Sequence, residues 1–337
     1  MELDIEQPEA LDRWLRETGR VGPAEKLTLR NLAGGVSNRT VMLESDAGKA
    51  WVLKQALSKL RVAVDWFSDP ARIEREALGM RWLAKLAPEG AITELIFEDP
   101  AHHVLAMAAV PQPHENLKTI YLAGRADQDL TWQFGALLGT IHHRSSDERA
   151  ELSRAFADRS FFESLRVEPY YSYTAEQVPG SAAFIRALIA DMHGCQLALV
   201  HGDYSPKNVL VYEGHLVLLD HEVIHFGDPA FDVGFALAHL LSKAHHLRAH
   251  RKNFASAAQT FWTAYREALS RVPWADEIAG RCARHTLACL LARVKGRSTL
   301  EYLTEPDRAA QAKAVVELMK AAPPSPDALI PAFISKL

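Results

Sequence analysis

One stretch constrains the fold of this chain more than any other: Leu199-Val200-His201-Gly202-Asp203-Tyr204-Ser205-Pro206-Lys207-Asn208-Val209-Leu210-Val211. Apolar residues lead into it and out of it, and His201, Asp203 and Asn208 fall in the short polar loop between. A second apolar run, Leu216-Val217-Leu218-Leu219, ends in Asp220. Glu213-Gly214-His215 separates the two runs, so they read as the arms of a β-hairpin. The pairing predicts that Asn208 and Asp220 lie close together, with Asp203 at the mouth of the same hairpin.

Three such oxygens suit phosphoryl transfer. That reaction needs an acceptor hydroxyl aligned and relieved of its proton, and a cation on the nucleotide phosphates. Asp203 can serve the first need. Asn208 and Asp220 offer the hard oxygen donors that Mg2+ prefers. The spacing Asp-x-x-x-x-Asn is that of the kinase catalytic loop. Asp and Asn also stabilise ordinary turns; it is the strand-loop-strand-Asp context that favours chemistry.

HGDYSPKNVLV followed by LVLLDHEVIHFGDPAFDVGF resembles the aminoglycoside phosphotransferase and choline kinase superfamily, small-molecule relatives of the protein kinases. Two positions depart from common versions: Ser205 stands where many members carry His, and His221 follows Asp220 in place of Trp or Phe. The resemblance implies an α+β, protein-kinase-like bilobal fold. Its N-lobe, residues 1–110, would hold an antiparallel sheet and one αC-type helix. Its C-lobe, residues 111–337, would be mainly helical and carry the catalytic loop, metal site and acceptor site. ATP and Mg2+ are the implied cofactors, and a small-molecule hydroxyl the implied acceptor. Asp203 would be the catalytic base, and Asn208 and Asp220 the metal ligands. Asp232 and His201 would hold the catalytic loop in shape through its backbone.

The N-terminal half supplies the remaining candidates. Ala33-Gly34-Gly35-Val36-Ser37-Asn38 lies between two strand-like runs, and Gly34 and Gly35 would let backbone approach a phosphate, with Ser37 and Asn38 as further donors. Lys54 ends the apolar run Trp51-Val52-Leu53, where a phosphate-binding lysine is expected by resemblance. A helix opening at Asp69-Pro70 and reaching Leu86 would present Ile73, Ala77, Met80, Leu83 and Ala84 on one face. Glu76 falls inside that stripe and Glu74 outside it. A glutamate on a packing face needs a cation, so Glu76 is the expected partner of Lys54. Strands over Ile92–Phe97 and His103–Val110 follow, with Met107 to Ala109 as the expected contact for the nucleotide base.

Downstream, helices are expected from Asp127 to His142-His143, over Ser181–His193, and from Asp228 as N-cap with Pro229 as first helical residue. The aromatic stretch 149–177 reads as packing. The Pro-rich Ala321–Asp327 reads as the start of a tail. Glu168, Glu176, Asp276, Glu277 and Glu301 are the acidic residues that would line a site for a cationic acceptor.

A net charge of −4 gives no electrostatic case for nucleic acid. Three cysteines without a CxxC make neither a disulfide framework nor a zinc site. No apolar run is long enough for a membrane span, and no signal peptide is visible, so a cytoplasmic enzyme is expected. Two other readings remain open: a non-catalytic nucleotide-binding pseudokinase, and a metal-dependent hydrolase built on His201, Asp203, His221, His225 and Asp228.

Overall fold

The computed structural model describes residues 3–32, 35–62, 65–269 and 272–337. Its first part is a five-stranded antiparallel sheet of β1 (Leu27–Asn31), β2 (Asn38–Ser45), β3 (Ala50–Ala56), β4 (Leu95–Asp99) and β5 (Val104–Ala108), in the order β1-β2-β3-β5-β4. Helices α1 (Pro8–Glu17) and α2 (Arg72–Leu86) cover its two faces. Successive strand residues face opposite sides. Val41, Leu43, Leu53, Val104 and Ala106 therefore pack with Leu11, Trp14 and Leu15 of α1. Val52, Ala56, Leu105 and Met107 pack with Ile73 and Met80 of α2. Lys54 follows Leu53, so the pleat turns it towards α2.

The remainder is mainly helical around one large core. Its elements are β6 (His114–Asn116), α3 (Leu117–Leu122), α4 (Gln128–Asp147), α5 (Arg149–Ala155), the short α6 (Ser160–Phe162) and a π-helical stretch Glu163–Ser172. Then come α7 (Tyr173–Gln177), α8 (Ala182–His193), β7 (Ala198–Val200), β8 (Val209–Tyr212), β9 (His215–Leu218) and β10 (His225–Gly227). Helices α9 (Ala230–His246), α10 (Arg251–Leu269), α11 (Ile278–Lys295), α12 (Glu305–Met319) and α13 (Pro326–Ile334) complete the chain. β8 and β9 form the expected hairpin, with Tyr212 opposite His215 across a two-residue turn. Glu213 and Gly214 both have positive φ, the requirement of a type I′ turn. β7 pairs with β10, which closes the loop region from the other side.

Several boundaries differ from the sequence reading. Helix α2 starts at Arg72, because Asp69 spends its carboxylate on the Ala71 N–H in a turn ahead of the helix. Ala84, expected on its packing face, is exposed. Helix α4 runs past His142-His143 to Asp147, and β4 begins only at Leu95. Asp228 and Pro229 each stand one place further out than expected: Pro229 is the N-cap, Ala230 the first helical residue, and Asp228 ahead of them accepts from the Ala230 N–H in a turn. The Pro-rich segment leads not to a tail but to α13, whose Leu329, Ile330 and Phe333 are buried. There Pro326 at the first turn favours a helix start, with Ser325 as its cap.

Helices α4 and α10 approach closely because α4 carries Gly135 and Gly139. A Cβ at Gly135 would sit 2.2 Å from the Phe261 carbonyl oxygen of α10, and one at Gly139 2.6 Å from the Tyr265 carbonyl oxygen. Gly135→Ala must push two backbones apart. We expect it to lower stability by about 3 kcal/mol, read as a lower urea midpoint at unchanged slope. An unchanged midpoint would show that this packing tolerates separation.

Candidate active site

The site is built where the hairpin loop, α2 and β3 meet. Lys54 Nζ lies 2.6 Å from Glu76 Oε1 and 3.0 Å from Asp220 Oδ1, so three charges separated by up to 166 positions share one point. Glu76 is fully buried, and Glu74, on the outer face, is exposed. Burial works against the Lys54 ammonium, but Asp220 and Glu76 together hold its pKa well above the usual lysine value. Burial likewise opposes the Asp220 carboxylate. Lys54, with Lys207, outweighs it and pulls that pKa far below the usual range. Asp220 adopts φ +70°, a left-handed conformation uncommon for a residue with a side chain.

Asp203 is buried, with its Oδ2 held by three donors: Asn208 Nδ2 at 2.8 Å, Arg166 Nη2 at 2.9 Å and Lys207 Nζ at 3.3 Å. No described residue bonds its Oδ1. Burial alone would raise the Asp203 pKa, but Arg166 and Lys207 bring it below the ordinary carboxylate value. Asn208 Nδ2 donates twice to Asp203, to the carbonyl at 3.0 Å and to the carboxylate at 2.8 Å. Its amide oxygen is thereby turned to the remaining side.

The loop is fastened from below. Asp232, on the first turn of α9 and fully buried, accepts from the His201 N–H at 2.7 Å and the Gly202 N–H at 2.8 Å. His201 Nδ1 accepts from the Asp203 N–H at 3.2 Å, so the proton sits on Nε2, which reaches the Leu219 carbonyl at 3.1 Å. Gly202 has φ +79°, and a Cβ there would lie 2.9 Å from Val223 Cγ2. Glycine is thus required between His201 and Asp203. Tyr204 stacks on Phe134 with centroids 4.5 Å apart and donates its hydroxyl to the Phe134 carbonyl at 2.7 Å.

Of the glycine-turn candidates, Gly34 lies outside the described residues and Gly35 is exposed. Ser37 and Asn38 are buried and face inward: Asn38 Nδ2 donates to Glu222 Oε2 at 3.2 Å and to Ser37 Oγ at 3.2 Å. Met107 is buried in the sheet. The N–H groups of Ala108 and Ala109 are taken by the carbonyls of Glu94 and Ala50, so the next donor along, Val110, is the first that a base could use. His225 stacks on Phe162 with centroids 4.0 Å apart and does not join His201 and His221. Among the described residues no group of three or more His, Cys, Asp or Glu side chains is gathered to hold a metal ion.

Sequence reasoning missed two cations that complete this geometry. Arg166 comes from the aromatic stretch read as packing, and Arg72 from the start of α2. Arg72 is fully buried. It bonds Glu222 at 3.1 Å, the Leu57 carbonyl at 2.8 Å and the Ser37 carbonyl, which ties α2 to the glycine turn and to the loop after Asp220. A lone arginine inside a buried apolar run must find an anion, and that was the available signal for Arg166 between Leu165 and Val167.

Comparison with known proteins bears on the same region. The profile of the phosphotransferase enzyme family (APH) matches residues 28–275. Methylthioribose kinase 2 of Oryza sativa subsp. japonica is 26% identical over 247 residues, 65% of this chain and 57% of that protein. The methylthioribose kinase of Pectobacterium atrosepticum is 25% identical over 258 residues, 68% of this chain and 63% of that protein. The chain thus matches less than two thirds of either relative's length. Among solved structures, an amicoumacin kinase bound to AMP-PNP and Ca2+ superposes with a TM-score of 0.57 at 14% identity, covering 92% of this chain and 94% of that one. A macrolide 2′-phosphotransferase from Brachybacterium faecium gives 0.54 at 22% identity, covering 90% and 98%. These likenesses establish a protein-kinase-like fold. No helix among the described residues is long and apolar enough to cross a membrane. The matched span runs from β1 through the hairpin loop to beyond α10, well over half the sequence, and the chain belongs to the phosphotransferase enzyme family.

Proposed function

We propose that this protein is an ATP-dependent, Mg2+-assisted phosphotransferase that moves the γ-phosphoryl group to a hydroxyl of a small molecule, with Asp203 as catalytic base. The observation that carries the reading is the meeting of Lys54, Glu76 and Asp220 within 3.0 Å contacts beside a carboxylate with one free oxygen, Asp203 Oδ1. The relatives' activity as methylthioribose kinases, and the AMP-PNP and Ca2+ in the amicoumacin kinase, support it.

The donor set fits a hard cation. The amide oxygen of Asn208 and Asp220 Oδ2 are both left over by the bonds described above. Two protein oxygens suit Mg2+, which keeps waters and phosphate oxygens for its other positions. Such an ion supplies charge neutralisation on the transferring phosphates. Lys54 would be the group to hold phosphate oxygens, its direction kept by Glu76 at 2.6 Å. With Ser37 and Asn38 turned inward, backbone N–H groups beside Gly35 would cover the phosphates. The Val110 N–H and neighbouring backbone, at the junction of the two lobes near residue 110, receive the base.

Asp203 Oδ1 accepts the acceptor hydroxyl. Its lowered pKa makes it a weak base, so it orients the hydroxyl in the ground state and takes the proton late, as a loose transition state allows. Arg166 and Lys207 fix the other carboxylate oxygen. The pseudokinase reading expects loss of the lysine or of a metal ligand, and Lys54, Asn208 and Asp220 are all present. AMP-PNP with Mg2+ should raise the melting temperature by several degrees, and ADP release from ATP should depend on an acceptor. The acceptor panel begins with methylthioribose and extends to hydroxy acids, sugar phosphates and choline. No AMP-PNP response with Mg2+ present would sink the proposal.

A further inference from the structure

Beyond Asp203 the contacts continue into a second group of cations. Arg166 lies 5.8 Å from the Tyr170 ring centroid, and the Tyr170 hydroxyl accepts from Arg293 Nη1 at 2.9 Å. Arg293 also bonds Ser298, yet its Nε is buried with no partner. Close by, Lys243 on α9 is fully buried. Its ammonium makes one hydrogen bond, 3.4 Å to the His239 carbonyl one turn back, and faces the rings of Tyr302 at 5.5 Å and Tyr121 at 6.0 Å. The Tyr302 hydroxyl is buried and unpartnered as well.

No described carboxylate comes within ion-pair distance of Lys243 or Arg293. The acidic group nearest in effect, Glu301, is already paired with Lys118 at the more exposed rim. Two buried cations without a counter-ion are costly, by several kcal/mol each. Methionine would fill the Lys243 space without that cost. Burial first, then Lys118 and Arg293, pushes the Lys243 pKa down to about 7, the response of a cation that lacks its anion. Of the acidic residues expected to line a site for a cationic acceptor, Glu168 pairs with Arg297 at 3.0 Å, Glu301 pairs with Lys118, and Glu176, Asp276 and Glu277 are exposed.

We propose that the acceptor carries an oxyanion group, which Lys243 and Arg293 bind together with the Tyr302 hydroxyl while the reacting hydroxyl lies at Asp203. This rests on the phosphotransferase reading. It favours hydroxy acids or sugar phosphates over choline, aminoglycosides and neutral methylthioribose.

The test uses the full chain saturated with AMP-PNP and Mg2+, so that added anions do not report on the phosphate subsite. Acetate, succinate and inorganic phosphate are titrated at ionic strength matched with chloride, with choline chloride as control. Melting temperature and calorimetric affinity are the readouts. At least one oxyanion should stabilise the wild type where chloride and choline do not. Its affinity should fall about tenfold or more in Lys243→Met and in Arg293→Lys, with the AMP-PNP response intact in both. Lys243→Met removes an unpaired buried charge and should fold at least as stably as wild type, and Lys243→Gln serves as its check. A response to acetate or succinate alone assigns a carboxylate, and one to phosphate alone a phosphate monoester; either supports the proposal. A wild type that takes AMP-PNP and ignores all three oxyanions, or variants that respond as wild type does, overturn it. A wild type that ignores AMP-PNP overturns instead the phosphotransferase reading.

Discussion

Asp203→Asn should lower phosphoryl transfer by about 10³-fold or more, with AMP-PNP affinity in Mg2+ within a few-fold of wild type. The substitution keeps the shape of the side chain and removes the carboxylate proposed to take the proton. It also strips Arg166, buried at 7% exposure, of its ion-pair partner. A stability loss of about 3 kcal/mol is therefore expected alongside the kinetic one. Turnover and unfolding must be measured together, at a temperature where the variant is fully folded. The pH profile gives an independent check. Arg166 and Lys207 hold the Asp203 pKa below the ordinary aspartate value, so on the proposed reading the group stays ionised, and competent, through the weakly acidic and neutral range. Transfer should show no acid limb from this residue between pH 5 and 7. Wild-type turnover in the folded variant would remove Asp203 from the mechanism.

Asp220→Ala should abolish the Mg2+-dependent part of AMP-PNP binding and reduce transfer below detection. On the proposed reading the residue supplies one of two protein oxygens for the cation, and its carboxylate lies 3.0 Å from Lys54 Nζ. Because it sits at φ +70°, Asp220→Gly makes a useful companion. Glycine occupies that region without strain, so it should be at least as stable as the alanine variant and equally inactive. Titration of AMP-PNP with and without Mg2+ separates the effects. If both variants keep the metal-dependent gain in affinity, the ligand assignment fails.

The parts of this site that could be read from sequence are those whose signal is local. The hairpin announced itself through two apolar runs and a Glu-Gly turn. Glu76 was preferred to Glu74 because helical periodicity alone sorts the two onto different faces, and the structure pairs it with Lys54. Arg72 and Glu222 were invisible for the opposite reason: their partnership joins residues 150 positions apart. Arg72 on a helix's first turn looks like an ordinary solvated arginine until that partner is in place. Lys243 and Arg293 were hidden similarly. Helix α9 is buried along nearly its whole length, so its lysine sits within a run that reads simply as core. The Pro-rich segment misled because proline both breaks a helix and begins one; burial of Leu329 and Phe333 against the core decided which.

Helix α9 carries Asp232 on its first turn and Lys243 near its last. Eleven residues on, close to three full turns, the lysine returns to the same side of the rod about 16 Å away. One stiff element therefore fixes the anchor of the catalytic loop and the seat of the charge at a set separation. On the reading proposed above, acceptors would then be gauged by length, and molecules whose hydroxyl and anion stand too near together or too far apart would be passed over.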